Sequence, residues 1–194
     1  MPESRRATPK SLRTRAAIEA AAKELFSING YERTTVRDIG ERAGIDPSMI
    51  IRYFGGKDAL FARVATPDLR LPDLSDADPA NIGALLVRHF LEQWEGQPDG
   101  GGLPVLLRSA ASNEEAAERL REIFRTQVFP AIARAGPPET ASLRAGLVAS
   151  QLLGLALARY VLRLAPVVDM PIDFIVQTVG ETVRRYATST ATAA

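Results

Sequence analysis

Between Ala43 and Phe61 the chain reads AGIDPSMIIRYFGGKDALF, and the residues there that could do chemistry do not share a face with those that could form a core. Ile39 and Ala43 stand one helical turn apart, and so do Ile50 and Phe54. If those four point inward, then Ser48, Met49, Ile51, Arg52 and Tyr53 point away from the core. Gly44 and Asp46-Pro47 punctuate the two segments, as a helix end followed by an N-cap and a proline at the first helical position would. Two short helices joined by a tight turn make helix-turn-helix geometry, whose second helix enters the major groove of DNA by its N-terminal half. A plain helical bundle with an irregular middle has the same spacing.

The charge distribution favours a polyanionic partner. Residues 1–63 carry twelve Lys and Arg against eight Asp and Glu, a balance of +4; the whole chain is +1, so the remainder is −3. A basic front on an acidic body fits nucleic acid. Enzymatic readings find no support. Cysteine is absent and His89 is the single histidine, which excludes thiolate chemistry and a histidine-cluster metal site. The Gly100–Gly102 run lacks a following Lys-Ser/Thr, so it is not a phosphate-binding loop. No set of nucleophile, base and orienter emerges. We therefore expect no catalytic residue, no metal and no cofactor. The N-terminus MPESRRATPKSLRTR is basic but has no apolar stretch of a secretory signal, so the cytoplasm is the expected compartment.

The elements that must position these residues are helical throughout, and no strand pattern is evident. Residues 1–10 read as a flexible basic arm and residues 11–65 as the helix-turn-helix unit. Its first helix starts at Leu12 and ends at Asn29-Gly30; Thr35 caps the next, with Asp38 as its capping-box partner. Residues 66–80, with three prolines and four aspartates, read as a linker. Residues 81–187 read as a regulatory and dimerisation domain, followed by a polar tail at 188–194. Within that domain a helix capped by Asn113 runs from Glu114 to Arg134 and should be kinked or interrupted at Pro130. Ala141 to about Ala165 forms a long apolar helix, and Ile172 to Tyr186 the last one.

The stretch TTVRDIGERAGIDPSMIIRYFGGKDALF, with AAIEAAAKELFSINGYE before it, resembles the DNA-binding domain of the TetR (tetracycline-repressor-like) transcription regulators. Phe26, Gly30, Tyr31, Thr35, Ile39, Ala43-Gly44, Phe54, Lys57 and Leu60 all stand at that family's spacing. The resemblance implies an all-α, two-domain homodimer that binds a palindromic operator on double-stranded DNA. It implies an interface built from the last two long helices, at about residues 141–165 and 172–186. It further implies a ligand cavity in the C-terminal domain and release from DNA when a small, largely apolar effector binds. Carried onto this chain, Thr35 binds phosphate through its hydroxyl and backbone N–H at a helix N-terminus, and Lys57 and Tyr53 bind phosphate as well. Arg37 and Arg52 are placed to reach guanine, and Ser48 and Met49 lie at the leading end of the recognition helix. Ile51 departs from the family, which has a tyrosine there; Ile51 can touch a thymine methyl but offers no hydroxyl. The competing reading, for which Ile51 is the hint, is a helical ligand-binding or interaction protein whose helix-turn-helix is degenerate.

Two further features lie in the C-terminal half. Ala141 to Val168 is apolar enough to raise a transmembrane reading, but Gln151, Arg159 and Arg163 fall in or near it, so we expect a buried or dimer helix and no membrane. His89, Phe90, Trp94, Phe124, Gln127, Gln151 and Tyr160 are the candidates to line a ligand cavity, being aromatic or polar residues on core-side helical positions.

Overall fold

The computed structural model describes residues 9–65, 67–96 and 102–190, and every regular element among them is helical. The arm assigned to residues 1–10 lies outside the described residues up to position 8. So does the tail beyond residue 190.

Helix α1 (Pro9–Arg33) begins ahead of Leu12 and does not stop at Gly30. It passes through a kink there, with Gly30 at φ 76° and ψ 175°, and adds a last turn. Thr34 makes that possible. Its fully buried hydroxyl turns back to the carbonyls of Gly30 at 2.8 Å and Leu25 at 3.2 Å, two acceptors lying about the kink. Helix α2 (Val36–Ala43) starts with the expected capping box: Thr35 Oγ1 accepts the Asp38 N–H at 3.1 Å, and Asp38 Oδ2 accepts the Thr35 N–H at 2.9 Å. After the turn, Asp46 Oδ1 accepts the Ser48 N–H at 2.8 Å and opens α3 (Ser48–Phe54). Helix α4 (Lys57–Val64) follows Gly55-Gly56 directly.

Residues 67–80 form a strap on the body rather than the free linker expected at 66–80. Leu74 is buried, and the segment is tied to the body through side chains. Gln127 donates to the Pro67 carbonyl at 2.9 Å and accepts the Leu69 N–H at 2.8 Å, while His89 Nε2 meets the Leu69 carbonyl at 2.7 Å. The prolines and aspartates made it extended; its leucines made it stick.

The second half consists of α5 (Ile82–Glu95), α6 (Leu103–Ala110), α7 (Glu114–Ile123), α8 (Phe129–Ala133), α9 (Ala141–Ala156), α10 (Ala165–Val168) and α11 (Ile172–Ala187). Asn113 caps α7 as expected, accepting the Ala116 N–H at 3.0 Å. Pro130 does not break the chain. A π-helical turn, Phe124–Val128, joins α7 to α8, with the Phe129 N–H reaching back to the Phe124 carbonyl just ahead of the proline that has no N–H to give. A second π turn, Leu157–Val161, ends α9, so the expected helix to Ala165 stops early and a corner with Arg163 at φ 51° intervenes.

Two cores result. One joins Ile18, Phe26, Ile39, Ile50, Leu60 and Phe61 of the first four helices to Val105, Leu106, Ala116 and Ile123 of α6 and α7. The helix-turn-helix unit therefore closes its core with residues from the other half. The second core packs Ile82, Leu86, Val87 and Leu91 of α5 against Val148, Ile175, Val176 and Val183. There α5 and α11 cross backbone to backbone: a Cβ on Gly83 would lie 1.9 Å from the Gly180 carbonyl oxygen.

One residue unmarked in the sequence organises the far end. Arg144 is fully buried, and its guanidinium donates to the carbonyls of Ile132, Ala187 and Pro137 at 2.8 Å, to Ala133 at 3.3 Å and to Thr140 Oγ1 at 3.1 Å. It thus caps the C-terminal ends of α8 and α11 together. Burial alone lowers its pKa below the usual arginine value.

Candidate nucleic-acid interface and adjoining cavity

The structure turns Ser48, Ile51 and Arg52 outward as the helical period predicts, but Tyr53, expected to point away, packs in part against the core. Ile50 is 0% exposed and seats α3 in the core, whereas Ile51 is 60% exposed. Ser48 and Arg52 are exposed beside it, and Met49, Tyr53 and Phe54 are half-buried. Thr35 and Arg37 are exposed at the start of α2, and Lys57 is half-buried at the start of α4. The N-termini of α2 and α3 each carry a carboxylate already committed to the backbone. Asp38 is held below the ordinary aspartate range first by the Thr35 N–H, and Asp46 by Ser48.

That commitment corrects one expectation. The Thr35 backbone N–H, counted in the sequence as a phosphate donor, is occupied by Asp38. Its hydroxyl oxygen accepts the Asp38 N–H, which leaves the O–H hydrogen to give outward.

The cations divide by what already holds them. Arg42 pairs with Glu24 at 2.7 Å, and Arg63 bridges Glu19 and Glu115, the latter at 2.6 Å. Lys57 places its Nζ 4.0 Å from the centre of the Tyr31 ring. The Tyr31 hydroxyl donates to Asp58, and burial first and that carboxylate second push its pKa up. The Tyr31 ring meets Phe61 edge-on at 5.1 Å, and Phe61 meets Phe26 at 5.0 Å, so the lysine stands on a packed aromatic stack. Arg15, the last residue of the basic stretch MPESRRATPKSLRTR, turns to the end of α3.

Behind this face, in the second half, lies a cavity of about 130 Å³. Four of the seven sequence candidates line it: His89, Phe90 and Trp94 from α5, and Phe124 from the π turn. Leucines complete the wall, including Leu103 and Leu107 of α6, Leu152 and Leu153 of α9, and Leu69 and Leu71 of the strap. The other three candidates stand elsewhere. Gln127 has both ends of its amide on the strap backbone. Gln151 is half-exposed and off the wall. Tyr160 lies behind the wall, stacked on Trp94 at 4.9 Å, and donates its hydroxyl to Glu95 at 2.9 Å; burial first and Glu95 second raise its pKa. Arg159 shares Glu95 at 3.0 Å and reaches the carbonyls of Val167 and Val168. Among the described residues no group of three or more His, Cys, Asp or Glu could hold a metal ion.

The outer side of α9 is apolar and uncovered. Leu143, Leu147 and Leu153, with Leu157 at the start of the π turn that follows, are each at least two-fifths exposed, and added methyls at Gly146 and Gly154 would meet nothing. The continuous helical stretch Pro138–Val161 is long and apolar enough to cross a membrane, yet Arg144 and Arg159 anchor it to neighbouring helices.

Comparison with known proteins gives two family matches. The model for bacterial regulatory proteins of the tetR family matches residues 18–64, and that for the tetracyclin repressor-like C-terminal domain matches residues 80–187. An uncharacterized HTH-type transcriptional regulator, YdeS of Bacillus subtilis, is 28% identical over 132 residues, 66% of this chain and 63% of that protein. The HTH-type transcriptional repressor AcnR of Corynebacterium jeikeium is 34% identical over 82 residues, 41% of this chain and 43% of that protein. The matches thus span less than two thirds of either relative. A TetR transcriptional regulator from Rhodococcus sp. RHA1, solved as a crystal structure, superposes with a TM-score of 0.52 at 16% identity; 93% of this chain and 95% of that one are covered, a likeness of fold.

Proposed function

This chain belongs to the tetR family of bacterial regulatory proteins, helix-turn-helix transcriptional regulators, and from that premise we propose that it is a repressor that binds a palindromic operator as a homodimer and leaves it when a small apolar effector fills the cavity. The observation that carries the reading is the division of α3, with Ile50 sealed in the core and Ser48, Ile51 and Arg52 offered to solvent. Arg37 and Arg52 would read guanine, Ile51 a thymine methyl, and the Thr35 hydroxyl, Lys57 and Tyr53 the phosphates. The acidic remainder of the chain would stay away from the duplex.

The uncovered leucines of α9, with Phe174 on α11 at 49% exposure, support the dimer, because a helix face of that kind is unusual on a monomer in water. Two copies joined there would hold their α3 helices for successive major grooves, about 34–36 Å apart. A protein acting on DNA in this way works in the cytoplasm. The effector would meet aromatic and leucine side chains, with His89 and Gln93 as polar groups on the wall.

Fluorescence-anisotropy titration on the duplex from the gene's own upstream region tests this. Binding no tighter than to random duplex at the same salt would end the regulator reading and leave a helical ligand-binding protein. Lys57→Ala should weaken binding to every sequence and reduce the slope of log affinity against log salt by about 0.9, one counterion; an unchanged slope would remove Lys57 from the phosphate contacts.

A further inference from the structure

We propose that Arg15 is a positioning residue for sequence reading, acting through the end of the recognition helix rather than by gripping DNA itself; this rests on the DNA-binding reading above. Arg15 belongs to α1, two turns into a helix whose basic residues would otherwise all count toward the polyanion. Its Nη2 donates to the Tyr53 carbonyl at 2.6 Å. Its guanidinium carbon lies 5.6 Å from the centre of the Tyr53 ring and 5.4 Å from that of Phe54. One cation therefore holds the backbone and both rings that close α3.

The need for such a grip follows from the helix itself. Helix α3 has seven residues, so its last four carbonyls are more than half of those it has. The Gly55 N–H takes the Ile51 carbonyl at 2.9 Å, and Arg15 takes the one at Tyr53. At the other end Asp46 fixes the Ser48 N–H. Between these ends Ile50 is the only residue of α3 that is fully buried, and Tyr53 and Phe54 pack against the core only in part, so Ile50 is the pivot about which the helix can rock. A rotation of about 20° about that pivot moves the helix surface by about 2 Å, given a radius of roughly 5–6 Å. Base-edge hydrogen bonds tolerate a few tenths of an ångström. Arg15 removes this freedom, and it orients Tyr53, whose ring lies beneath it. Lysine is a poor substitute, because one ammonium lacks the planar fork that donates to a carbonyl while lying against two rings.

The test is a salt series of anisotropy titrations with wild type, Arg15→Lys and Arg15→Ala, each on the operator duplex and on random duplex. Wild type must first prefer the operator; if it does not, the DNA-binding reading itself falls and takes this proposal with it. Given that preference, Arg15→Lys should lose operator affinity by about tenfold, the scale of one charge-assisted hydrogen bond, while random-duplex affinity falls by clearly less, through Tyr53 alone, and the salt slope stays at the wild-type value. Arg15→Ala should show the same loss of preference. If instead Arg15→Lys behaves as wild type, and Arg15→Ala weakens both duplexes equally with the slope reduced by about 0.9, Arg15 is a phosphate contact and the proposal is overturned. Far-ultraviolet circular dichroism at the assay temperature confirms the fold of each variant. The lysine variant keeps the question answerable should the alanine variant not fold.

Discussion

Replacing Arg144 with methionine tests whether a buried cation without a carboxylate partner is holding the second half together. Methionine keeps most of the stem volume and removes every donor. Of the five acceptors, Thr140 Oγ1 keeps another role as donor to Pro137 and Ser189, and the Ile132 and Pro137 carbonyls still receive the N–H groups of Ala135 and Thr140. The carbonyls of Ala133 and Ala187 have no other hydrogen bond among the described residues. Two orphaned carbonyls cost about 1–3 kcal/mol each. Against that, the variant no longer pays to desolvate a guanidinium, which recovers part of the loss. We expect a net destabilisation of about 2–4 kcal/mol, a large share of the roughly 5–15 kcal/mol of a typical domain. Arg144→Lys should do no better than methionine, since three donors on one nitrogen cannot span acceptors on α8, on α11 and in the connection between α8 and α9, while the burial cost remains. Urea denaturation followed by circular dichroism, at fixed protomer concentration because a dimer's stability depends on it, measures both variants. A methionine variant within about 0.5 kcal/mol of wild type, or a lysine variant equal to it, would refute the reasoning.

Gly102→Ala should destabilise by about 1–2 kcal/mol from its φ of +81° alone. Its Cβ would also fall 2.1 Å from Phe61 Cζ, so operator affinity should drop as that ring shifts the Tyr31–Lys57 stack; unchanged affinity would show that the stack is insulated. Leu147→Glu, in the middle of the uncovered α9 face, should yield monomers in sedimentation velocity and weaken operator binding, and a dimer that survived would place the interface elsewhere. Asp38→Ala removes a carboxyl whose folded pKa lies below its ordinary value. The contribution of Asp38 is therefore present above the ordinary aspartate range and lost as pH falls through the lowered value. The stability gap between wild type and variant should close on acidification, and a gap independent of pH would exclude the capping carboxylate as its source.

What the sequence made legible was local. The recognition face follows from a period of 3.6 residues and from turn residues adjacent to it, so Ile50 and Ile51 could be assigned to opposite sides without any tertiary knowledge. The capping box at Thr35 and Asp38 was equally legible, but its consequence, a Thr35 N–H already spent, appears only when both bonds are counted. Arg15 and Arg144 were not legible, because their partners are backbone carbonyls as far as 38 and 43 positions away, and a carbonyl has no sequence signature. The packing of the strap at 67–80 was hidden for a related reason. Proline and aspartate report that a segment is extended, whereas the burial of Leu74 and the bonds of Leu69 depend on what the extended chain lies against. In the cavity, aromatic residues on α5 stood out, while Gln127 looked like a ligand donor until its amide was seen holding the strap.

The cavity's size bears on how its occupancy would reach DNA. At about 130 Å³ it is smaller than the roughly 300–1,000 Å³ of ordinary ligand sites, so the proposed effector, if of common size, would have to push its walls apart. The walls do not yield equally. Helix α5 is backed by α11 through the Gly83–Gly180 crossing, where no layer of side chains can be compressed. Helices α6 and α7 offer the other side. Leu103, Leu107, Leu120 and Ile123 line the cavity, and Val105, Leu106 and Ala116 on the same two helices, with Ile123 again, complete the core of the helix-turn-helix unit. Displacing them displaces Phe61, against which Gly102 rests, and Phe61 supports Tyr31 beneath Lys57. Packed cores switch between arrangements rather than stretch, so a wall shared by two cores ties the state of one to the state of the other. The size of that tie is bounded by thermodynamics: an effector can weaken operator binding only by the factor by which the operator weakens effector binding. Measuring the effector's affinity with and without operator DNA would therefore return the same coupling factor from both directions.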